Sequence, residues 1–332
     1  MEIIMSGDKS SGKTETKNKT EDIFAGIRCI VCGNQDKSRF SKKYFKENCI
    51  VVECQNCSFH FIPPYFRQQI DYTAYKSEET GKQVAKADVW LKIQRNLLRY
   101  RLIQKYKKSG DVFDIGCGFG HFLLTGKQLG YNVTGVEMSK ANLDYIRKNL
   151  DLEVQEKNFL DVKEDKKYDI MTLWDVLEHM DDADKIIAKV SVMLKPGGTI
   201  FIQVPQIDSF FARLLKDKWW EMGLDHVNYF SHKTIKQLFA QYGIEVVKIR
   251  SSLEIKNVFL YVILPRLKRR KKPLHTWTVS DRQQEFNKMT AKPMWYRKLL
   301  VFVHNIIYKI LSFFRIGDEM IVVGVKKTGH FK

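Results

Sequence analysis

A glycine-rich turn between a predicted buried strand and a predicted helix constrains the fold of this chain more than any other feature. Residues 111–120 read Asp-Val-Phe-Asp-Ile-Gly-Cys-Gly-Phe-Gly. Glycines let the backbone approach a ligand at a distance where a Cβ would clash. Seventeen residues past Gly120, Glu137 ends the next predicted strand, where its carboxylate either accepts hydrogen bonds from ribose hydroxyls or is a solvated strand end. The pattern favours a site for a nucleoside-bearing cofactor at the carboxyl ends of parallel strands.

Strand and helix patterns alternate after this turn. Short apolar runs predict seven strands, at Val112–Ile115, Asn132–Val136, Glu153–Gln155, Tyr168–Leu173, Thr199–Val204, Ile244–Arg250 and Met320–Val325. Helical stretches lie between most of them, which is typical of a doubly wound α/β sheet. Upstream, apolar residues at helical spacing (Leu91, Leu98 and Leu102 among them) predict a further helix between Val84 and Tyr106.

The glycine spacing narrows the choice of cofactor. A dinucleotide site needs G-x-G-x-x-G/A, which from Gly116 would place His121 at the last position. The turn instead reads G-x-G-x-G and is preceded by Asp114. At these residues the chain resembles the class I S-adenosylmethionine-dependent methyltransferases, whose first motif is D-x-G-x-G-x-G. The resemblance covers roughly residues 109–250 and continues in the family's order through DIMTLWDVLEH at 169–179, LKPGG at 194–198 and DHVNYFS at 225–231.

The resemblance implies which residues hold S-adenosylmethionine. Asp114 and the glycine backbone would cradle the methionine part, Glu137 would hold the ribose, and two residues after the third strand would edge the adenine. The full implied set is Asp114, Gly116, Gly118, Gly120, Glu137, Asn158, Phe159, Leu173, Trp174 and Asp175, of which the last three would border the sulfonium. Cys117 lies inside the loop and is interpreted as a small residue tolerated there.

Two histidines are candidates for direct participation in the reaction. Methyl transfer to a hydroxyl needs a base for its proton. In the resembling families the histidine of L-E-H, here His179, is a common candidate base, and the element from His226 to Ser231 borders the acceptor. The alternative for each histidine is a hydrogen-bonded helix-cap or loop residue. Sugar C-methyltransferases with a similar zinc module carry Glu-His where this chain has Asp225-His226, so C- and O-methylation both stay open.

Aromatic residues near the second histidine have two interpretations. Trp219, Trp220 and Tyr229 either floor an acceptor pocket, on which a sugar or aromatic ring would stack, or cover the apolar core.

Four cysteines have the spacing of a metal site. Cys29 and Cys32 form one C-x-x-C pair and Cys54 and Cys57 another. Two such pairs can place four thiolates around a tetrahedral zinc ion, and a site with four protein ligands is structural because no open position remains. The polar start of the sequence leads us to expect no export signal, and therefore a metal site in a reducing compartment rather than disulfides. Cys49 belongs to neither pair and is expected to be packed.

Positive charge is concentrated late in the chain. The protein has 56 Lys or Arg against 38 Asp or Glu, a formal net charge of +18. Residues 258–315 hold 13 of the basic residues and only two acids, together with a wide apolar helical face from Leu299 to Phe313. This combination suits either an interfacial helix at an anionic membrane or a helix packed on the protein's own core. No uninterrupted apolar run is long enough to span a bilayer.

These features predict a doubly wound, seven-stranded Rossmann-like methyltransferase sheet with an N-terminal zinc ribbon and a helical insertion before the last strand. The expected divisions are a disordered tail at 1–26, the zinc ribbon at 27–64, a helical linker at 65–108, the methyltransferase domain at 109–257 with 317–328, and the basic amphipathic insertion at 258–316. A zinc ribbon joined to such a domain resembles bacterial enzymes of surface-polysaccharide and sugar pathways, and the domain is also similar to ubiquinone-type methyltransferases.

The leading functional hypothesis is S-adenosylmethionine-dependent methylation of a hydroxyl or carbon on a glycan or small acceptor, free or lipid-linked. We expect a cytoplasmic protein, with peripheral attachment to the inner membrane face through residues 258–316 as one option. The first alternative is methylation of ribosomal RNA or another nucleic acid, which would use the same positive charge to meet phosphates. The second is a non-catalytic, methyltransferase-like scaffold. The oligomeric state stays open.

Overall fold

A computed structural model describes residues 22–46, 49–67, 70–73, 89–252 and 317–328. The predicted N-terminal tail and the basic insertion lie almost wholly outside these residues. Eleven strands are present in the described parts of the chain. In chain order they are β1 (Phe40–Lys46), β2 (Cys49–Cys54), β3 (His60–Phe61), β4 (Asp111–Ile115), β5 (Asn132–Glu137), β6 (Val154–Glu156), β7 (Tyr168–Trp174), β8 (Leu194–Pro205), β9 (Asn228–Tyr229), β10 (Ile244–Ser252) and β11 (Glu319–Lys326).

Helices separate most of these strands. They are α1 (Val89–Ile103), α2 (His121–Gln128), α3 (Lys140–Asn149), α4 (Ala183–Met193), α5 (Phe210–Leu215) and α6 (His232–Gln241). Serines set three of the helix starts: the hydroxyls of Ser139, Ser209 and Ser231 each accept a hydrogen bond from a backbone N–H in the first turn. Such caps satisfy N–H groups that the helix itself leaves without partners.

The larger sheet has seven strands in the spatial order β10-β11-β8-β7-β4-β5-β6. Strands β4 to β8 pair in parallel, and β11 runs antiparallel between β8 and β10. Parallel strands at the centre read as nearly continuous apolar runs because helices cover both faces of such a sheet. The structure thus confirms the predicted seven-stranded, Rossmann-like α/β sheet. The carboxyl ends of its parallel strands lie along one edge.

The smaller sheet contains the cysteine module and is continuous with the rest of the protein. Its order is β1-β2-β3-β9, so that the strand after residue 227 completes a sheet begun near residue 40. Phe59 is fully buried, and its ring lies 5.2 Å from that of Phe230. On the same side, the Arg28 guanidinium contacts the Asp184 carboxylate at 2.8 Å. The module therefore shares a hydrophobic core with the larger sheet and is more than a tethered appendage.

No helix among the residues that the structure describes is long and apolar enough to cross a membrane.

Replacement of Phe59 by alanine tests whether the two parts unfold together. Phe59→Ala should lower the free energy of unfolding by about 3 to 5 kcal/mol, because it leaves a cavity at a buried aromatic contact. Urea denaturation followed by circular dichroism and by tryptophan fluorescence should show one shifted transition. Phe45→Ala, at a ring that is 60% exposed, is the matched control and should change little. Two separate transitions, only one of them shifted, would show that the module unfolds on its own.

Candidate functional site

A cavity of about 450 Å³ opens at the carboxyl ends of β4, β5 and β7. Its volume is in the usual range for small-molecule sites. Nine of the twelve residues predicted for the reaction and the cofactor line it, and they are Asp114, Gly116, Gly118, Glu137, Asn158, Phe159, Trp174, Asp175 and His179. Of the other three, Gly120 precedes helix α2, Leu173 is buried in the core, and His226 lies behind His179.

The glycine-rich turn joins β4 to α2 and forms one wall of the cavity. Gly116 has φ of +68°, and a Cβ there would lie 2.9 Å from Cγ2 of Val176. Gly118 has φ of +56° and donates its N–H to Glu137 Oε2 at 2.7 Å. Any larger residue at these two positions would be strained, and at the first it would also clash. The turn therefore presents backbone rather than side chain to a ligand.

Backbone hydrogen bonds hold the Glu137 carboxylate at the end of β5. Oε1 accepts from the N–H groups of Met138 at 2.9 Å and Ser139 at 2.8 Å, in addition to the bond from Gly118 to Oε2. A carboxylate has about four acceptor positions, so these three bonds leave room for a hydroxyl. The side chain is thus fixed beside the cavity before any ligand arrives.

Asp114 lies beneath the turn and is almost fully buried. Thr172 donates its hydroxyl to Asp114 Oδ1. Burial raises the pKa of Asp114 to about 7, with a further contribution from the nearby Glu137. A positively charged group bound at this end of the cavity would favour the ionised carboxylate.

Asp175 follows β7 in a backbone conformation that few side chains adopt. Its φ is +60°, its N–H donates to the carbonyl of Gln203 at 3.1 Å, and its Oδ2 lies 3.4 Å from Nη2 of Arg99. Aspartate tolerates the left-handed region better than most residues, yet strain of this kind is concentrated at functional sites. The conformation places the carboxylate on the cavity wall.

Helix α1 contributes a polar stripe to the cavity that the sequence analysis missed. Lys92, Arg95, Asn96 and Arg99 all line the cavity and lie at helical spacing of i, i+3, i+4 and i+7. The helical spacing of these polar residues is visible in the sequence, but the helix was predicted from its apolar positions alone. The helix therefore supplies one wall of the site and not only a linker.

Arg99 is the most deeply placed member of the stripe. Its guanidinium carbon lies 4.2 Å from the centre of the Trp174 ring, and Nη2 donates to Gln203 Oε1 at 2.9 Å. Gln203 in turn donates to Glu319 Oε2 at 2.7 Å, which links helix α1 to strand β11. Burial lowers the pKa of Arg99 to about 10, so the side chain stays charged at neutral pH. This buried network holds Arg99 in place where it lines the cavity.

Several polar atoms of the cavity wall have no protein partner. Among the described residues, Arg99 Nε, His121 Nε2, Asn142 Oδ1 and Trp174 Nε1 are buried without a hydrogen bond. Buried polar groups in proteins are nearly always hydrogen-bonded, so their clustering around one cavity fits a polar ligand. A nucleoside with an amino-acid tail offers both the polar groups and the length.

The two predicted histidines meet at one end of the cavity. His179 ends a short 3₁₀ turn, Leu177–His179, and its Nδ1 donates to the carbonyl of Asp225 at 2.8 Å. The ring of His226 packs edge-on against that of His179, with ring centres 4.7 Å apart, and its Nδ1 donates to the carbonyl of Glu221 at 2.7 Å. Burial lowers the pKa of His226 to about 4, and the neighbouring His179 lowers it further. His226 is therefore neutral at physiological pH.

Glu178 lies beside both histidines inside the fold. Its Oε1 is 3.9 Å from Nε2 of His179, and only 2% of the residue is exposed. Burial raises its pKa well above the usual range, and the charge of Asp175 adds to the shift. A buried carboxyl next to two imidazoles is a set of groups that can move a proton or hold a cation.

The aromatic residues near His226 cover the core. Trp219 and Tyr229 are fully buried, and the Tyr229 hydroxyl donates to the carbonyl of Gly223 at 2.9 Å. Trp220 is half-buried and donates Nε1–H to Asp318 at 2.8 Å. None of the three lines the cavity. Of the two interpretations given to them, the structure favours the packing role.

The four cysteines of the two C-x-x-C pairs form a cluster in the smaller module. The Sγ atoms of Cys29 and Cys57 are 3.5 Å apart and those of Cys32 and Cys54 are 3.6 Å apart. All four lie within 4.8 Å of one another. Each pair is closed by a backbone hydrogen bond, as in the 2.7 Å bond from the N–H of Ser58 to the carbonyl of Cys54. Since zinc–sulfur bonds are about 2.3 Å long, this donor set fits a tetrahedral zinc ion.

A family model described as a methyltransferase domain matches residues 87–249. The chain contains a methyltransferase domain. The match covers the glycine-rich turn, Glu137 and both histidines. The fold is also found in a structure of the Haloferax volcanii Trm112 methyltransferase activator in complex with a methyltransferase, with a TM-score of 0.50 and 15% identity over 78% of this chain and 99% of that chain.

Curated relatives share the central part of the domain. A ubiquinone biosynthesis O-methyltransferase from Coxiella burnetii is 32% identical over 111 residues, which are 31% of this chain and 47% of that protein. The protein of the same name from Pasteurella multocida is 36% identical over 106 residues, or 27% of this chain and 44% of that protein. The chain thus spans less than half the length of these relatives.

Replacement of Glu137 tests the predicted ribose contact. Glu137→Gln should weaken binding of S-adenosylmethionine by about 10- to 100-fold, because a neutral amide is a poorer acceptor for hydroxyls than a carboxylate. Calorimetric titration measures the change. Glu153→Gln, at an exposed position before β6, is the control and should bind like the wild type. Equal affinity in a folded Glu137→Gln protein would contradict the assignment.

Proposed function

We propose that this chain transfers a methyl group from S-adenosylmethionine to a hydroxyl of a glycan or other small hydroxylated acceptor, free or lipid-linked, with transfer to carbon as the alternative. The observation that carries the proposal is the single cavity that brings the glycine-rich turn and Glu137 together with His179. A cofactor site and a group able to accept a proton thus face the same space.

S-adenosylmethionine supplies a methyl carbon already activated by a positively charged sulfur. The task left to the protein is to align the acceptor with that carbon and to exclude water. In the proposed arrangement, Glu137 binds the ribose and Asn158 and Phe159 edge the adenine. Asp114 and the glycine turn hold the methionine part. Asp175 and Trp174 then border the sulfonium and leave the histidine end of the cavity for the acceptor.

His179 is the proposed base for a hydroxyl acceptor. The hydrogen bond from its Nδ1 to the carbonyl of Asp225 fixes the tautomer, so that Nε2 carries the lone pair. His226 does not line the cavity, and its proposed role is to position the His179 ring through their edge-on contact. The names of the two curated relatives, both O-methyltransferases, support transfer to oxygen.

Loss of His179 should separate binding from turnover. His179→Gln should lower the rate of S-adenosylhomocysteine formation by about 10²- to 10⁴-fold, the usual range for a general base, with the cofactor dissociation constant unchanged. The assay uses an acceptor identified from a panel of free and lipid-linked glycans. His60→Gln, at a histidine outside the cavity, is the control and should keep wild-type turnover. Full activity of a folded His179→Gln protein would remove the base assignment.

We also propose that Cys29, Cys32, Cys54 and Cys57 bind one structural zinc ion. The short Sγ–Sγ distances and the two closed turns support this assignment. Four thiolates would leave the ion no open position for a reactant. Its role would be to hold β2 and β3 in place, and through them β9 and the segment that carries His226.

Cysteine replacement tests the zinc proposal. Cys32→Ser should reduce the zinc content of the purified protein from one equivalent towards zero and should lower its thermal stability, because structural zinc contributes directly to folding. Cys49→Ser removes a buried cysteine outside the cluster and should keep one equivalent. Elemental analysis of freshly purified protein gives the count. Wild-type protein with well below one equivalent would refute the proposal.

The location of the enzyme is proposed from its sequence. The basic, apolar segment 258–316 would bring the protein to an anionic membrane surface on the cytoplasmic side, where a lipid-linked acceptor would be found. This segment lies outside the described residues, and the proposal therefore depends on its composition. The nucleic-acid alternative used the same charge, and nothing in the described residues favours it.

A further inference from the structure

Three side chains at the histidine end of the cavity have the arrangement of metal ligands. Glu178, His179 and His226 each offer one ligand atom, and these atoms lie within 4.8 Å of one another. We call this group the E-H-H cluster. It is separate from the cysteine cluster, and its donors are two nitrogens and an oxygen rather than four thiolates.

The fold brings the E-H-H cluster together through the backbone. Val227 donates its N–H to the carbonyl of Glu178 at 2.9 Å, which fixes the segment after β8 against the 3₁₀ turn. The Asn228 amide donates to the carbonyl of Met180 at 2.7 Å and adds a second link. These two bonds hold the segment that carries His226 against the turn that carries Glu178 and His179, and the edge-on contact of the two rings adds to them.

Both histidines are oriented as metal ligands usually are. His179 and His226 each donate Nδ1–H to a backbone carbonyl, those of Asp225 and Glu221. These bonds leave Nε2 of each ring as the atom with the free lone pair. A bond from the second ring nitrogen to a carbonyl is the common outer-shell arrangement of a ligating histidine.

The buried carboxyl group of Glu178 is an independent indication that a ligand binds at the cluster. The residue is 2% exposed, and its Oε2 has no hydrogen-bond partner among the described residues. An unpaired buried carboxyl oxygen is costly, and a bound cation removes that cost. Asp175 and Asp225, whose side chains are partly exposed, add further negative charge at the same end of the cavity.

We propose that the E-H-H cluster binds a divalent cation of the Mn²⁺ or Co²⁺ type at the acceptor end of the cavity. Ligand atoms about 2.1 Å from one ion lie about 3 to 4 Å apart, so small side-chain adjustments would close the site. Imidazole and carboxylate together suit these ions. Three protein ligands leave open positions, and one of the ligands, His179, lines the cavity.

The chemistry of the ion defines the acceptor that it would take. Open positions on such an ion bind oxygen, and two adjacent positions bind both oxygens of a vicinal diol. A metal-bound hydroxyl loses its proton more readily, and the proton passes to water. This role rests on the proposed methyl transfer, whereas binding of the ion does not. Nε2 of His179 cannot ligate the ion and accept a proton at once, so His179 is the base in the ion-free protein and a ligand when the ion is bound.

Titration of the zinc-loaded protein with Mn²⁺ tests the site. Mn²⁺ prefers nitrogen and oxygen ligands to thiolates, so it should leave the cysteine cluster undisturbed. Electron paramagnetic resonance of free Mn²⁺ should show one ion bound per chain. Glu178→Gln and His226→Gln should each weaken that binding by about tenfold or more, and His232→Gln, outside the cluster, should bind like the wild type.

The wild-type titration decides the question even if a variant fails to fold. Absence of bound Mn²⁺ at millimolar ion would overturn the proposal, as would equal binding by wild type and both folded cluster variants. No cofactor or acceptor is needed for this measurement. A protein that binds Mn²⁺ at the cluster and methylates nothing would keep the site and reject the proposed function, so the two failures are distinguishable.

Discussion

The bond from the backbone N–H of Gly118 to the Glu137 carboxylate organises the centre of this protein. It connects the turn after β4 with the end of β5, so the carboxyl ends of these two neighbouring strands are held close together. The bond forms only because residue 118 can adopt positive φ with its N–H facing the carboxylate. The cavity is thus a consequence of the parallel pairing of β4 and β5 combined with a turn in which every second residue from Gly116 to Gly120 lacks a side chain.

Much of the fold could be predicted because apolar runs and glycine turns are local signals. Five of the seven predicted strands agree with the observed ones within one residue at each end. Strand β10 ends two residues later than predicted, at Ser252, and β8 was predicted from Thr199 but is observed from Leu194. The difference at β8 has a physical reason. Leu194 pairs with Tyr168 and the register shifts before Ile170, so a segment rich in Pro and Gly joins the strand through an irregularity that composition does not reveal.

The site was less predictable than the fold because its side chains meet through long-range packing. Arg99 belongs to a helix whose apolar face alone was used for prediction, although its polar face forms a cavity wall. The proximity of Glu178 to His226 depends on the hydrogen bond from Val227 to the carbonyl of Glu178. Nothing local to either segment encodes that bond. Trp219 is likewise of a residue type that often stacks on ligands. Only the three-dimensional packing shows that it is buried in the core.

Charge divides the cavity into two ends with different chemistry. Helix α1 places Lys92 and Arg95 along one wall, whereas Asp175 and Asp225 lie at the histidine end, where Arg99 contacts the Asp175 carboxylate at 3.4 Å. The positive sulfur of S-adenosylmethionine would be attracted to the carboxylates of Asp175 and Asp225. The carboxylate of the cofactor itself would be attracted to the basic wall. Methyl transfer removes the charge from the sulfur, which weakens the first attraction in the product. The product would therefore bind more weakly than the cofactor. The same carboxylates would also favour binding of the cation proposed at the E-H-H cluster.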